Sequence, residues 1–125
     1  MLTLRTISGK FKICRFSAET PLPAALFTLP LYSVTRIGDE LSVLVPETVQ
    51  LNADTVEDGW GMLGVAGPLD FALTGILARI AEVLAAADIS IFALSTYDTD
   101  YILVKHDKLQ AAITALKAAG YQHAP

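Results

Sequence analysis

Alternation of apolar and polar positions marks the first half of the chain as β-structure. Phe11 to Phe16 alternates with the period of a half-buried strand. Leu31 to Ile37 and Glu40 to Val45 are rich in β-branched residues. Gly38-Asp39 between them fits a two-residue hairpin turn, where glycine takes the positive φ that the turn requires. Pro46 ends the second of these strands. Pro21, Pro23 and Pro30 bracket Ala24 to Phe27 and leave room for one helical turn at most. Glu47 to Gly59 is polar and acidic and reads as a linker between two halves.

The second half changes period. Trp60 to Ala66 is a short apolar run, a strand that Gly67-Pro68 breaks. Two helix starts compete after it: Pro68 with Asp70 in the first turn, or Thr74 capping a helix from Gly75 to Ala87. In that helix Ile76, Leu77, Ile80, Val83, Leu84 and Ala87 form one apolar stripe. Ile89 to Thr96 and Tyr101 to Lys105 read as strands joined through Tyr97 to Asp100. Asp107 to Ala119 is a second helix, its stripe made by Leu109, Ala112, Ile113 and Leu116. Lys117 suits its last turn and Gly120 the position just beyond.

The order β, α, β, β, α with a short tail is the α+β, ferredoxin-like βαββαβ plan. The chain divides accordingly into residues 1–58 (strand, short turn, hairpin and linker) and residues 59–125. Right-handed crossovers place both helices on one sheet face. Ile89, Ile91 and Ala93 fall on one face of their strand and Phe92 and Leu94 on the other, so the helix-free face is also apolar. A cover from the N-terminal half or from a second subunit is expected.

Composition supports that expectation. Hydrophobic residues make up 53% of the chain and charged residues 18%, more apolar sequence than a small soluble monomer ordinarily carries. The net charge is -4 and the pI about 4.9, with nine Lys and Arg scattered singly. Binding to a phosphate backbone needs clustered cations, so nucleic acid is not an expected partner. No apolar run is long enough for a membrane span; Ile76 to Ala87 is interrupted by Arg79 and Glu82. The N-terminus lacks the pattern of a secretion signal, and the single Cys14 cannot form an internal disulfide, which together suggest the cytoplasm.

Catalytic chemistry finds little support. His106 sits at a strand-to-helix junction and His123 near the end, both expected to be exposed. One cysteine and two distant histidines do not make a zinc site, and no cofactor motif occurs. Cys14 on a strand reads as a small buried hydrophobe. Asp98 and Asp100 read as turn residues. Binding is better served. The segment from Phe71, Ala72, Leu73 and Thr74 to Gly75 and Ile76 opens a helix, whose free N–H groups attract a carboxylate. Ser95, Thr96, Tyr97 and Asp100 gather hydroxyls and a carboxylate at a strand end, which suits an ammonium.

At these two segments the sequence resembles the ACT domain family. Leu69-Asp70, Gly75 to Ala81 and Leu84 to Ile91 are similar to its loop acid, helix-opening glycine and following strand, with Thr74-Gly75 where the family has Pro-Gly. Ser95-Thr96-Tyr97 with Asp100 to Val104 resembles the branch that includes the CASTOR-type amino-acid sensors and small bacterial ACT proteins of unknown function. Leu31 to Arg36 and Glu40 to Val43 also resemble the bacterial members, which makes residues 1–58 a truncated ACT-like half. The resemblance implies a non-catalytic regulatory module, a homodimer, and an amino acid bound between units. Carried over by position, Phe71 to Ile76 with Ser95, Thr96, Tyr97 and Asp100 would line that site. Leu73 and Thr74 offer no second carboxylate for a guanidinium, so the expected ligand is a neutral or small amino acid. The competing reading is a protein-interaction or structural ACT module that has lost its ligand.

Overall fold

A computed structural model of the chain describes residues 2–67, 69 and 74–125. In chain order the elements are β1 (Thr3–Ser17), β2 (Ser33–Ile37), β3 (Glu40–Pro46), β4 (Thr55–Val65), α1 (Ile76–Ala86), β5 (Phe92–Ser95), β6 (Asp100–Lys105), α2 (Leu109–Ala118) and β7 (Gln122–Ala124). Single 3-10 turns occupy Ala24–Thr28 and His106–Lys108. Contacts divide the chain into two units, one of Gly9–Gly59 and one that joins the residues up to Ser8 with Trp60–Pro125. Residues 2–8, placed with the N-terminal half by the sequence division, thus share their contacts with the C-terminal segment.

In the unit Gly9–Gly59 the strand order is β2-β3-β1-β4. The hairpin forms as its sequence predicts, with Ile37 paired to Glu40 across Gly38-Asp39. β1 runs antiparallel to β3, Phe16 opposite Leu41 and Cys14 opposite Val43. Alternation sends Cys14, Phe16, Leu41, Val43 and Val45 into one core, closed by Leu26 from the proline-bracketed 3-10 turn. The expected linker is in part a strand: β4 starts at Thr55, and the Asp54 N–H donates to the Arg15 carbonyl at 3.0 Å. Backbone pairing holds this stretch while Thr55 to Asp58 stay exposed, so no apolar alternation marks it in the sequence.

In the other unit the order is β5-β6-β4-β1, with β7 on β1. β4 and β6 are antiparallel with Met62 opposite Leu103, and β5 sets Phe92 opposite the same Leu103. The tail forms β7, parallel to β1 with His123 opposite Leu4, and completes the βαββαβ succession. His123 is half-buried rather than exposed, because its Nε2 lies 2.7 Å from Thr6 Oγ1. The helix stripes behave as spaced. Ile80 and Leu84 of α1 and Ala112, Ile113 and Leu116 of α2 are buried against Leu63, Val65, Ile102 and Val104. The opposite face is apolar too: Met62 and Leu103 are buried, and Trp60 lies 6.2 Å from Phe92, with Lys105 Nζ 4.7 Å from the Trp60 ring.

Both helices end in a left-handed residue. The Tyr121 N–H donates to the Leu116 carbonyl at 3.0 Å around Gly120 (φ 104°), and the Ile89 N–H to Leu84 at 2.9 Å around Asp88 (φ 60°). These six-to-one bonds satisfy last-turn carbonyls and fold Tyr121 and Ile89 back into the core. The strand expected from Ile89 therefore starts only at Phe92. None of the described helices is long and apolar enough to cross a membrane.

A Cβ at Gly120 would force a left-handed L-residue, so Gly120→Ala should cost about 1–2 kcal/mol, read as a lower urea midpoint. Burial pushes the Cys14 thiol above its ordinary value, with Lys12 pulling weakly the other way. The folded thiol then holds its proton more tightly than the unfolded one. Its contribution is full below the unfolded pKa and is lost as pH rises through the folded one. The urea midpoint should fall at alkaline pH more in the wild type than in Cys14→Ala.

Candidate functional site

The opening of α1 departs from the expected cap. Gly75 is the N-cap, with φ 76° and ψ 4°, and among the described residues no side chain bonds to the first turn. Thr74 therefore does not cap the helix; a left-handed N-cap directs the chain so that only glycine is unstrained there. The first intrahelical bond runs from the Arg79 N–H to the Gly75 carbonyl at 3.0 Å. The N–H groups of Ile76, Leu77 and Ala78 precede it and have no acceptor within the helix. A Cβ built on Gly75 would meet no atom within 4 Å, so the space beside this backbone is open.

That space is a cleft of about 340 Å³, with Gly75 to Ala78 on one side and Ser95 to Asp100 on the other. The second wall is braced from within. Ser95 pairs with Asp100 across the strands, and its hydroxyl donates to Asp100 Oδ1 at 2.5 Å. The Thr96 N–H donates to the Thr99 carbonyl at 2.8 Å, and the Thr99 N–H to Thr96 Oγ1 at 3.3 Å. Thr99 Oγ1 reaches the Val65 carbonyl at 2.8 Å, which ties the turn to β4. The Leu69 N–H donates to the Asp98 carbonyl at 2.8 Å. Tyr97 stands at the rim, 83% exposed. Asp98 and Asp100 both line the cleft, and among the described residues no Lys, Arg or His does.

Gly75, Ile76, Ser95, Thr96, Tyr97 and Asp100 are thus brought to one cleft. Thr74 lines a different hollow, with Leu2, Arg79 and Tyr121. Phe71, Ala72 and Leu73 lie outside the described residues. The sequence reading held Leu69 within its strand-to-helix segment and Asp98 and Thr99 within its polar turn without naming them as site residues, and did not include Leu77 and Ala78. Leu77 and Ala78 follow from the helix start once its first residue is known.

The ACT domain profile matches residues 55–118, half of the chain. The mouse (Mus musculus) cytosolic arginine sensor for mTORC1 subunit 1 is 31% identical over 98 residues, which cover 72% of this chain and 30% of that protein. The chain therefore spans less than a third of that relative's length. A crystal structure from Agrobacterium tumefaciens superposes with a TM-score of 0.82 at 31% identity, covering 98% of this chain and 92% of that one. The ligand-free regulatory subunit of Thermus thermophilus aspartate kinase gives a TM-score of 0.64 at 9% identity over 94% of this chain and 97% of that chain, a likeness of fold. With the profile spanning both walls of the cleft, the chain belongs to the ACT domain family.

Proposed function

We propose that this chain is a non-catalytic regulatory module that binds a free amino acid in the cleft between the start of α1 and the β5–β6 turn. One observation carries the reading: two opposite recognition elements line the same cleft. The N–H groups of Ile76 to Ala78, which no described side chain caps, suit an α-carboxylate, and Asp100 suits an α-ammonium. A carboxylate has about four lone-pair sites, so the Ser95 hydroxyl leaves Asp100 capacity to accept more. The volume falls within the roughly 300–1,000 Å³ common for small-molecule sites.

The sequence favoured a neutral or small ligand because its loop lacked a second carboxylate. Asp98 in the cleft lining supplies one, and with no cationic side chain there among the described residues the charge favours a basic amino acid over an acidic one. The arginine-sensor name of the mouse relative points the same way. The open edge of β5, which pairs only with β6 among the described strands and carries the 37%-exposed Phe92, supports a homodimer. The cytoplasm suits such a module and accords with its cytosolic relative. The same edge would serve a protein-interaction module without a ligand, and ligand screening separates the two.

Each common amino acid is added in turn to the purified chain during thermal melting. A ligand at about 100 times its Kd stabilises the fold by about 2.7 kcal/mol, and a basic amino acid should give the largest rise. Asp100→Asn should weaken that ligand by about 1.5–3 kcal/mol. A panel without any rise at millimolar concentration removes the proposal. Sedimentation should give a dimer that Phe92→Lys shifts toward monomer; a wild-type monomer at high concentration would leave the β5 edge without a role.

A further inference from the structure

On the far side of the Asp98–Thr99 turn lies a second recess of about 260 Å³, and its wall differs from that of the cleft. Arg5 from β1, Gly64 from β4 and Tyr101 from β6 line it, with Gly67, Asp98 and Thr99. Register and sterics build this wall. Gly64 is paired with Tyr101, and a Cβ at position 64 would stand 3.0 Å from Tyr101 Cε1 and 3.5 Å from Ile7 Cδ1. Glycine therefore lets the phenol ring lie close against β4. At the rim a Cβ on Gly67 would approach the Leu69 nitrogen at 3.1 Å and the Asp98 carbonyl oxygen at 3.3 Å, so the backbone there sits tightly on the turn.

The geometry points to a second small-ligand site in this recess, for a zwitterion of amino-acid size. Arg5 brings a planar guanidinium that pairs a carboxylate through two parallel hydrogen bonds. Asp98, shared with the cleft, brings the opposite charge for an ammonium when the cleft does not engage its carboxylate, and Tyr101 brings a hydroxyl-bearing side chain. The lining carries one charged residue of each sign, so a ligand of a single charge would leave one of them unmatched. The volume, just below the roughly 300 Å³ at which drug-sized pockets begin, suits a small metabolite. The two sites share Asp98 and Thr99; Arg5, Gly64, Gly67 and Tyr101 belong to this one alone. The assignment does not rest on the cleft at α1 being occupied.

The test uses the full chain labelled with ¹⁵N and titrated with each common amino acid to millimolar concentration. Saturable amide shifts are expected at Arg5, Gly64, Gly67 and Tyr101 for at least one of them. Arg5→Gln, at an exposed position, should weaken that response about tenfold or more while Gly75, Ile76 and Ser95 respond as in the wild type. Shifts confined to Gly75, Ile76 and Ser95 would uphold the cleft and reject the second site. Shifts confined to the Arg5 group would do the reverse. A response at Arg5, Gly64 and Gly67 that survives Arg5→Gln unchanged overturns the assignment.

Discussion

A helix that begins on a left-handed glycine has no side chain at its own cap position, and in this chain its first backbone donors belong to residues that line a cleft. Gly75 has φ 76° and, among the described residues, no side chain caps the donors that follow it. A glycine at the cap costs roughly a few tenths of a kcal/mol relative to Ser, Thr, Asp or Asn, so doing without a cap side chain is a small cost to the fold. The donors of Ile76, Leu77 and Ala78 are left for solvent or for a ligand. An anion at this end also meets the positive end of the helix macrodipole. The rest of the site serves to hold a facing wall at the right place.

That facing wall is held by bonds that leave its own strand edge open. Thr99 reaches the Val65 carbonyl, Thr96 and Thr99 bond each other, and Asp98 accepts from Leu69. These bonds tie the β5–β6 turn to itself, to the end of β4 and to Leu69 beyond it, so hydrogen bonds contribute directly to its shape. β5 has only β6 as a neighbour among the described strands. A turn fixed at one end and an edge strand free along its side would let one element serve the proposed ligand and the proposed partner at once.

Much of the fold was legible because burial enforces period. Ile80 and Leu84, Ala112 and Leu116, and the hairpin at Gly38-Asp39 all follow from spacing that only one geometry satisfies. Legibility failed where backbone bonds act without side-chain burial. Thr55 to Asp58 pair as strand with exposed side chains, the tail pairs with β1 as β7, and Ile89 turns inward around a left-handed Asp88. Thr74 looked like a cap because its residue type suits one, whereas the φ of Gly75 decides the entry of the chain. In the site, the types of Gly75, Ser95 and Asp100 could be read from sequence. Their meeting in one cleft, and the presence of Asp98 beside them, needed the register of β5 on β6.

The separation of core from cleft sets how this site can change. Along α1 the residues that hold the helix down are Ile80 and Leu84, with no exposed surface, whereas the cleft uses the turn before them. On the other wall Leu103 and Ile102 anchor β6 while Asp100 stands at the strand's start. Substitutions at the polar positions of the cleft therefore remove little buried apolar area, the quantity that dominates stability, whereas Leu69, Ile76 and Leu77 line the cleft and also pack against the core. Under the proposed function, ligand preference would be altered at Asp98 and Asp100 with the buried strands left in place. Gly75 is a further exception, because the same backbone angle that opens the cleft also aims the helix, and replacing it would disturb both.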